Sequence, residues 1–358
     1  MKPRRVLASL PPYHPGKKKA GTTKLSSNEN PRGPSPKAAR AAKEALSGVA
    51  VYPEGSSGEL REALARRTIG GVEFSPEQFI VGNGSDEVMV MIAAAYVEPG
   101  DRVVTGAHTF SQYSFAGRLF GGEVIETPMP EGRFDIDAIV EAAHGAKVVF
   151  VCSPNNPTGT YLSANDLGRL VQGVPETTLL VVDEAYSEYV DAGDFGWAER
   201  LIASRENLMV LHTFSKIFGL AALRVGYGIG RPEVVSNLYK VKQPFNVGSV
   251  AQSAALAALS DREFVTETLD INRKSKELME RFFRSNGISY LPTQGNFFCL
   301  DLGREAEPVV AALADRGFSV RPLRSFGLPN GIRVTIGTER QAAGFCDALS
   351  FVLKPAPV

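Results

Sequence analysis

Between residues 78 and 241 the chain alternates short apolar runs with segments whose apolar positions recur every three or four residues. The runs predict strands over 78–81, 102–105, 123–127, 147–152, 178–182, 208–212 and 225–229. The periodic segments predict helices near 85–96, 110–120, 135–143, 163–173 and 232–241. The inner runs VVFVC and TLLVV show no polar alternation, as expected for strands covered on both faces. Strands and helices in this alternation predict an α/β fold around a mostly parallel, doubly wound central sheet.

The flanks read differently. Residues 1–34 are rich in Pro, Gly and Lys and read as an N-terminal arm without a core of its own. Ser35 as N-cap, Pro36 at the first helical position and Gly48 past the end bracket a helix over 36–47. Ser56-x-x-Glu59 has the spacing of a capping box for a helix that carries Leu60 and Leu64 on one face. Beyond 245 helices predominate; the segment 272–286 sets Leu278, Met279, Phe282 and Phe283 on one face and stops before Gly287. Strands at 296–301, near 318–321 and at 332–336, with a helix near 338–353, complete a smaller α+β unit. The expected division is an arm and first helix over 1–45 joining the small domain, a large domain over 46–245 and a small C-terminal domain over 246–358.

Composition narrows the class. A chain of 358 residues is long enough for two sizeable cores. With 39 basic and 39 acidic residues the net charge is zero, which argues against nucleic acid or an anionic membrane as partner. Three cysteines far apart offer no disulfide framework, and four histidines show no metal-ligand spacing. The basic start MKPRRVLASLPP has too short an apolar stretch for a signal peptide, and the longest apolar run, 88–97, is half a membrane span. A cytoplasmic protein is expected.

In open α/β sheets ligands sit outside the carboxyl ends of the strands, so the chemistry is sought there. The first strand runs into Gly82-Asn83-Gly84-Ser85-Asp86 and then a helix, a place where glycines allow close approach and free N–H groups meet an anion. A dinucleotide fingerprint would need glycine where Glu87 stands, and the Gly-Lys-Ser/Thr of a P-loop is absent. From this segment alone a phosphate cradle and a plain tight turn are equally good readings. Thr109-Phe110 offers an aromatic face for a flat ring, although core packing is the commoner fate of a lone Phe. Ser153-Pro154-Asn155-Asn156-Pro157 holds amides in a rigid turn, one of which can donate to a ligand oxygen or close its own turn. Asp183 follows directly on an apolar strand, where a carboxylate needs a cation such as a protonated pyridine, or else an internal ion pair. Tyr186 is placed to reach the same ligand.

The run LMVLHTFSKIFGLAALRVGYGIG (208–230) then brings Thr213, Ser215, Lys216 and Arg224 to one strand end. Two hydroxyls and an arginine suit a phosphate ester, and a lysine amine beside a phosphorylated aldehyde is what pyridoxal phosphate (PLP) requires, because that cofactor is carried as a Schiff base. Singly each motif is ambiguous. Together, successive strand ends supply an anion cradle, a flat face, an amide donor, a lone carboxylate and a lysine.

With those residues assembled, the chain resembles the fold-type I PLP-dependent aminotransferases, and within them the histidinol-phosphate aminotransferases. The markers are SNENPRGPSP (27–36), YPEGSSGELREALA (52–65), GNGSDE (82–87), SPNNPTG (153–159), VDEAY (182–186), TFSKIFGLAALRVGY (213–227) and IRVTIGT (332–338), spread over essentially the whole chain. The resemblance implies that Lys216 is the Schiff-base lysine and proton carrier, that Asp183 pairs with the pyridine nitrogen, and that Asn156 and Tyr186 bond the phenolic oxygen. It implies that Phe110, where many relatives carry Tyr, stacks on the ring, and that Ser85, Asp86, Thr213, Ser215 and Arg224 hold the cofactor phosphate. Tyr52 resembles the tyrosine that reaches the neighbouring subunit's phosphate, which implies a homodimer with shared active sites. Tyr13, Asn30, Arg321 and Arg333 correspond to substrate-binding positions, with Tyr13 and Arg321 at the distal phosphate. The implied partners are a small amino donor and a 2-oxo acid. An aromatic amino-acid aminotransferase, a threonine-phosphate decarboxylase, or a PLP-binding protein with a regulatory or sugar-pathway role would look similar in sequence.

Overall fold

The computed structural model describes residues 1–10 and 21–354. After a 3-10 turn at Arg5–Ser9 come β1 (Thr23–Lys24), α1 (Pro36–Ala45) and α2 (Gly58–Ala65). The α/β series follows as β2 (Phe79–Gly82), α3 (Ser85–Tyr96), β3 (Arg102–Gly106), α4 (Gln112–Leu119), β4 (Glu123–Thr127) and α5 (Ile136–Ala143). It continues with β5 (Ala146–Cys152), α6 (Ala164–Gly173), β6 (Leu179–Asp183), β7 (Leu208–Thr213), β8 (Gly226–Gly230) and α7 (Pro232–Val241). The last third holds α8 (Ser249–Leu259), α9 (Arg262–Ser285), β9 (Ser289–Tyr290), β10 (Phe297–Asp301) and α10 (Ala306–Asp315). It ends with β11 (Phe318–Ser319), β12 (Arg321–Pro322), β13 (Gly331–Thr335) and α11 (Glu339–Leu353).

The seven-stranded sheet has the order β2-β8-β7-β6-β5-β3-β4. Only β8 runs antiparallel to its neighbours, so the expected α/β architecture is the one observed. Its orientation has a consequence: the start of β8, at Gly226, lies at the same edge as the carboxyl ends of β2 and β7. The apolar character of β5, β6 and β7 is explained by burial, since helices cover both faces and nearly every side chain is enclosed.

Two hydrophobic cores form. The larger surrounds the central sheet and includes Phe79, Tyr113, Phe150 and Phe214. The smaller gathers Met279 and Phe283 of α9, Phe298 and Leu300 of β10, Ile332 and Val334 of β13 and Phe345 of α11. The arm is divided between them: β1 pairs in parallel with β11 and buries Leu25 in the smaller core, while α1 lies on α8 and buries Ala38 in the larger one. The long helix α9 begins ten residues earlier than its apolar face suggested, because Asp261 and Phe264 already anchor the first turn.

One local expectation fails. Ser56 and Glu59 do not cap α2; Ser57 occupies the N-cap in the left-handed region (φ 53°), and its hydroxyl makes no capping bond. The carboxylate of Glu54 takes over, accepting from the Ser56 and Gly58 backbone N–H groups at 2.8 and 2.6 Å. These bonds hold its acidity stronger than usual against the opposing effect of burial. Glu54→Ala is therefore expected to destabilise the protein by about 1 kcal/mol, and Glu59→Ala by much less, in urea unfolding. Equal effects of the two changes would contradict the cap.

Candidate active site

The cradle comes first, because it is set by backbone. α3 starts at Ser85 from Gly84 (φ 80°), and Arg224 follows a 3-10 turn in the left-handed region (φ 52°). A Cβ on Gly84 would sit 2.5 Å from an Arg224 guanidinium nitrogen, and one on Gly226 would sit 2.4 Å from the Ser85 amide. Only glycine permits the helix N-terminus and the arginine to meet so closely. Arg224 donates to Asp86 at 2.9 Å and to the Ala221 carbonyl at 3.1 Å, so its fork is fixed in place. Thr213 Oγ1 accepts from the Ser215 amide at 3.1 Å, folding the end of β7 into the same site. First-turn N–H groups, two hydroxyls and a guanidinium converge, a donor set suited to a phosphate ester. Glu87, at the place where a dinucleotide site would carry glycine, instead binds the Asn83 amide and the Asn246 side chain, both at 2.6 Å.

Beside the cradle lies a cavity of about 220 Å³ lined by residues from β5, β6, β7 and α3, with Phe110 at its wall. Asp183 stands at its floor, 3% exposed. Burial pushes its carboxyl up to about 6, while hydrogen bonds from Tyr113 and from the Ala185 amide pull the other way. Tyr113 donates to Asp183 Oδ2 at 2.6 Å, its ring stacked on Phe150 at 5.2 Å and edge-on to Phe110 at 5.7 Å. A buried carboxylate oriented this firmly fits a basic ring nitrogen.

Lys216 enters the cavity from the end of β7. Burial first, then the Arg333 charge, draws its amine down to about 8. It donates to the Ser27 carbonyl at 3.4 Å and lies 5.4 Å over the Tyr186 ring. Tyr186 accepts from Asn28 Nδ2 at 2.9 Å, and burial raises its phenol well above the ordinary value. Asn156 accepts from Arg333, which also donates to the Ser26 carbonyl at 2.7 Å. With its oxygen engaged, Asn156 has its amide N–H groups left for the cavity. The arm segment 26–30 therefore closes one side of the site, and Asn28 is fixed in turn by Thr335 and Asn296.

The fold brings Ser85, Asp86, Phe110, Asn156, Asp183, Tyr186, Thr213, Ser215, Lys216 and Arg224 to one cavity, and Arg333 beside it. Three other expected residues do not line this cavity. Asn30 spends its amide on the Ile217 carbonyl at 2.8 Å, fastening the arm to the lysine loop. Arg321 is on β12, directly opposite Arg333 on β13. Tyr52 is 79% exposed and stacks on Phe245 at 4.7 Å. Tyr13 lies outside the described residues. Sequence reading missed Tyr113 and Asn28; the first lies only three residues beyond Phe110, in the first turn of α4, whereas the second depends on a contact between residues 158 positions apart.

The set fits a phosphorylated, basic heteroaromatic aldehyde: an anion cradle that a single Cβ would fill, a buried carboxylate and a nearby amine of lowered basicity. Comparison with known proteins points the same way. A histidinol-phosphate aminotransferase of Symbiobacterium thermophilum is 43% identical over 98% of this chain and 98% of its own length. One from Moorella thermoacetica is 42% identical over 98% of this chain and 92% of its own. The crystal structure of the histidinol-phosphate aminotransferase of Sinorhizobium meliloti, in complex with pyridoxal-5'-phosphate, superposes with a TM-score of 0.85 at 28% identity, covering 98% of this chain and 96% of that one. The profile of aminotransferase class I and II matches residues 20–349. On the matched length, the shared fold and the amine, carboxylate and cradle gathered at the strand ends, the chain belongs to the class I and II aminotransferases.

Proposed function

We propose that the protein transfers an amino group between histidinol phosphate and 2-oxoglutarate, in the direction that makes histidinol phosphate from imidazole-acetol phosphate and glutamate during histidine biosynthesis. The observation that carries this reading is the pairing of Arg321 with Arg333. Opposite one another in an antiparallel ladder, they share a face beside the Lys216 cavity. Two guanidinium groups on one face offer planar donors that suit a phosphate, and the relatives of about 40% identity are named for a phosphorylated substrate.

In this reading Ser85, Asp86, Thr213, Ser215 and Arg224 hold the phosphate of pyridoxal phosphate, and Phe110 covers its ring. Asp183 faces the ring nitrogen, and Asn156 and Tyr186 face the phenolic oxygen. Bound there, the cofactor supplies an aldehyde that carries the substrate amine and a ring that withdraws electrons from the adjoining carbon. Lys216 Nζ, its basicity lowered to about 8 chiefly by burial, would take and return the proton of the substrate carbon that bears nitrogen. Tyr113 keeps Asp183 oriented through its 2.6 Å bond. The arm excludes water from the amine through Ser27 and Asn28.

A homodimer in the cytoplasm is part of the proposal. The apolar residues Leu46, Val49, Val51 and Tyr52 and the ring of Phe245 are exposed together on the surface around α1 and α2, an arrangement that favours association. The described cysteines are buried and unpaired, in keeping with a reducing compartment. No helix among the described residues is long and apolar enough to cross a membrane.

The decisive experiment mixes the loaded enzyme with histidinol phosphate, phenylalanine, tyrosine and threonine phosphate and follows the cofactor's absorption. Conversion by histidinol phosphate is expected; conversion by the aromatic amino acids alone would overturn the substrate, and decarboxylation of threonine phosphate would overturn the reaction. Arg321→Ala should raise KM for phosphorylated substrates by the equivalent of about 1.5–3 kcal/mol, and an unchanged KM would take Arg321 out of the site. Lys216→Met should abolish turnover and the visible absorption of the loaded enzyme. In the cofactor-free protein the same change has a second signature. The folded amine titrates near 8 against an ordinary 10.5, so its buried charge destabilises the wild type fully below pH 8, and that penalty fades towards pH 10.5. The variant should accordingly be the more stable protein below pH 8, with the difference closing at higher pH in thermal melts. Val51→Asp, on the exposed patch, is expected to shift sedimentation from dimer to monomer; a wild type that sediments as a monomer would remove the dimer from the reading.

A further inference from the structure

Behind the sheet end that carries Asp183 lies a second group of buried ionisable side chains. Asp183 is in register with Leu211, and the next residues of both strands, Glu184 and His212, turn to the opposite face of the sheet. There His212 Nε2 meets Glu199 Oε1 at 2.8 Å, both side chains almost fully enclosed. Tyr227, opposite His212 on β8, stacks on the imidazole at 5.1 Å and 25°. Glu184 Oε1 accepts from the Ala198 amide at 2.9 Å. The remaining oxygens, Oε2 of Glu184 and Oε2 of Glu199, are buried without a hydrogen-bond partner among the described residues. Two neighbouring carboxyls with one free oxygen each are satisfied when they share a proton.

We propose that His212 is a positioning residue for Asp183: paired with Glu199, it places a buried positive charge behind the carboxylate that faces the ring nitrogen. The charge assignment follows from the surroundings. Burial drives the Glu184 carboxyl far up, so it keeps its proton and can present it to the Glu199 carboxylate. The His212 bond strengthens the acidity of Glu199 against the opposing effect of burial. Burial opposes a charge on His212, but the Glu199 hydrogen bond and the charges of Glu199, Glu188 and Asp183 outweigh it and raise the imidazole's basicity. Its charge acts on Asp183 in the ionising direction, alongside the Tyr113 and Ala185 hydrogen bonds and against Asp86. Of the other groups facing this cluster, Arg67 acts on Glu188 and Tyr227, and the Tyr227 phenol stays neutral because burial raises it. The trio lies close enough to grip a metal ion, but the 2.8 Å His212–Glu199 contact is a hydrogen bond that a metal would have to replace.

This inference rests on the reading of Asp183 as the ring-nitrogen partner, and its test separates the two. Nitrogen-15 spectra of the full chain stripped of cofactor should show the His212 imidazole doubly protonated at pH 7; a neutral ring overturns the proposal. Carbon-13 titration of the Asp183 carboxyl should give a midpoint near 6 in the wild type. In His212→Gln, which keeps an N–H donor but not the charge, the midpoint should rise by about one pH unit. An unchanged midpoint overturns the proposal, as does one equivalent of zinc recovered with the purified protein. Glu199→Gln provides the second variant should the first not fold: His212 should become neutral and the Asp183 midpoint should again rise. The Asp183 reading is tested apart, by wild-type binding of pyridoxal phosphate against its analogue with carbon in place of the ring nitrogen. Equal affinity would refute that reading while leaving the effect of His212 on Asp183 standing.

Discussion

A carboxylate at the buried end of β6 is the constraint to which the rest of the site answers. Asp183 is enclosed by apolar strands on both sides, and desolvation alone would leave it protonated. Each neighbouring element contributes something to oppose that: α4 brings the Tyr113 hydroxyl, the turn after β6 brings the Ala185 amide, and β7 brings His212. Tyr113 is itself held by Phe150 of β5 and touches Phe110, so the group that orients the carboxylate also fixes the aromatic wall. Charge placement and core packing are here a single arrangement.

The lysine and the cradle are tied to distant parts of the chain by a different set of contacts. The segment 23–30 is paired with β11, anchored in the smaller core through Leu25, and bonded to β13 through the Thr335 amide and the Leu25 carbonyl at 2.8 Å. The same few residues give Lys216 its carbonyl acceptor, Tyr186 its amide donor and Ile217 its contact with Asn30. A shift of the small unit against the central sheet would be felt at the amine through this strap. Arg333, placed on β13 and bonded to Asn156, makes the second such link.

Legibility in the sequence followed the range of the interactions. Helix 85–96 and helix 232–241 were readable to the residue because their boundaries are local: Gly84 with its left-handed φ, Pro232 at the first helical position. At α2 the structure departs from the Ser56-x-x-Glu59 spacing, which presumes an extended N-cap, because the left-handed Ser57 hands that task to Glu54. Asn30 was expected at the substrate, but its amide satisfies a carbonyl that only the folded lysine loop presents. No local pattern announces that His212, near the end of an apolar strand, will find Glu199 across a loop.

The sequence by itself determined the parallel α/β framework, the strand ends that carry chemistry and the identity of the groups there. Those properties rest on period, apolar content and turn residues, each written within a few positions of the chain. Tertiary structure decided which of those groups meet and in what ionisation state. Asp183 becomes a poised carboxylate, Lys216 a weakened base and Arg333 a neighbour of Asn156 only when residues far apart in the chain exclude water together. Desolvation and hydrogen bonding act through space, and a one-dimensional pattern does not carry their distances.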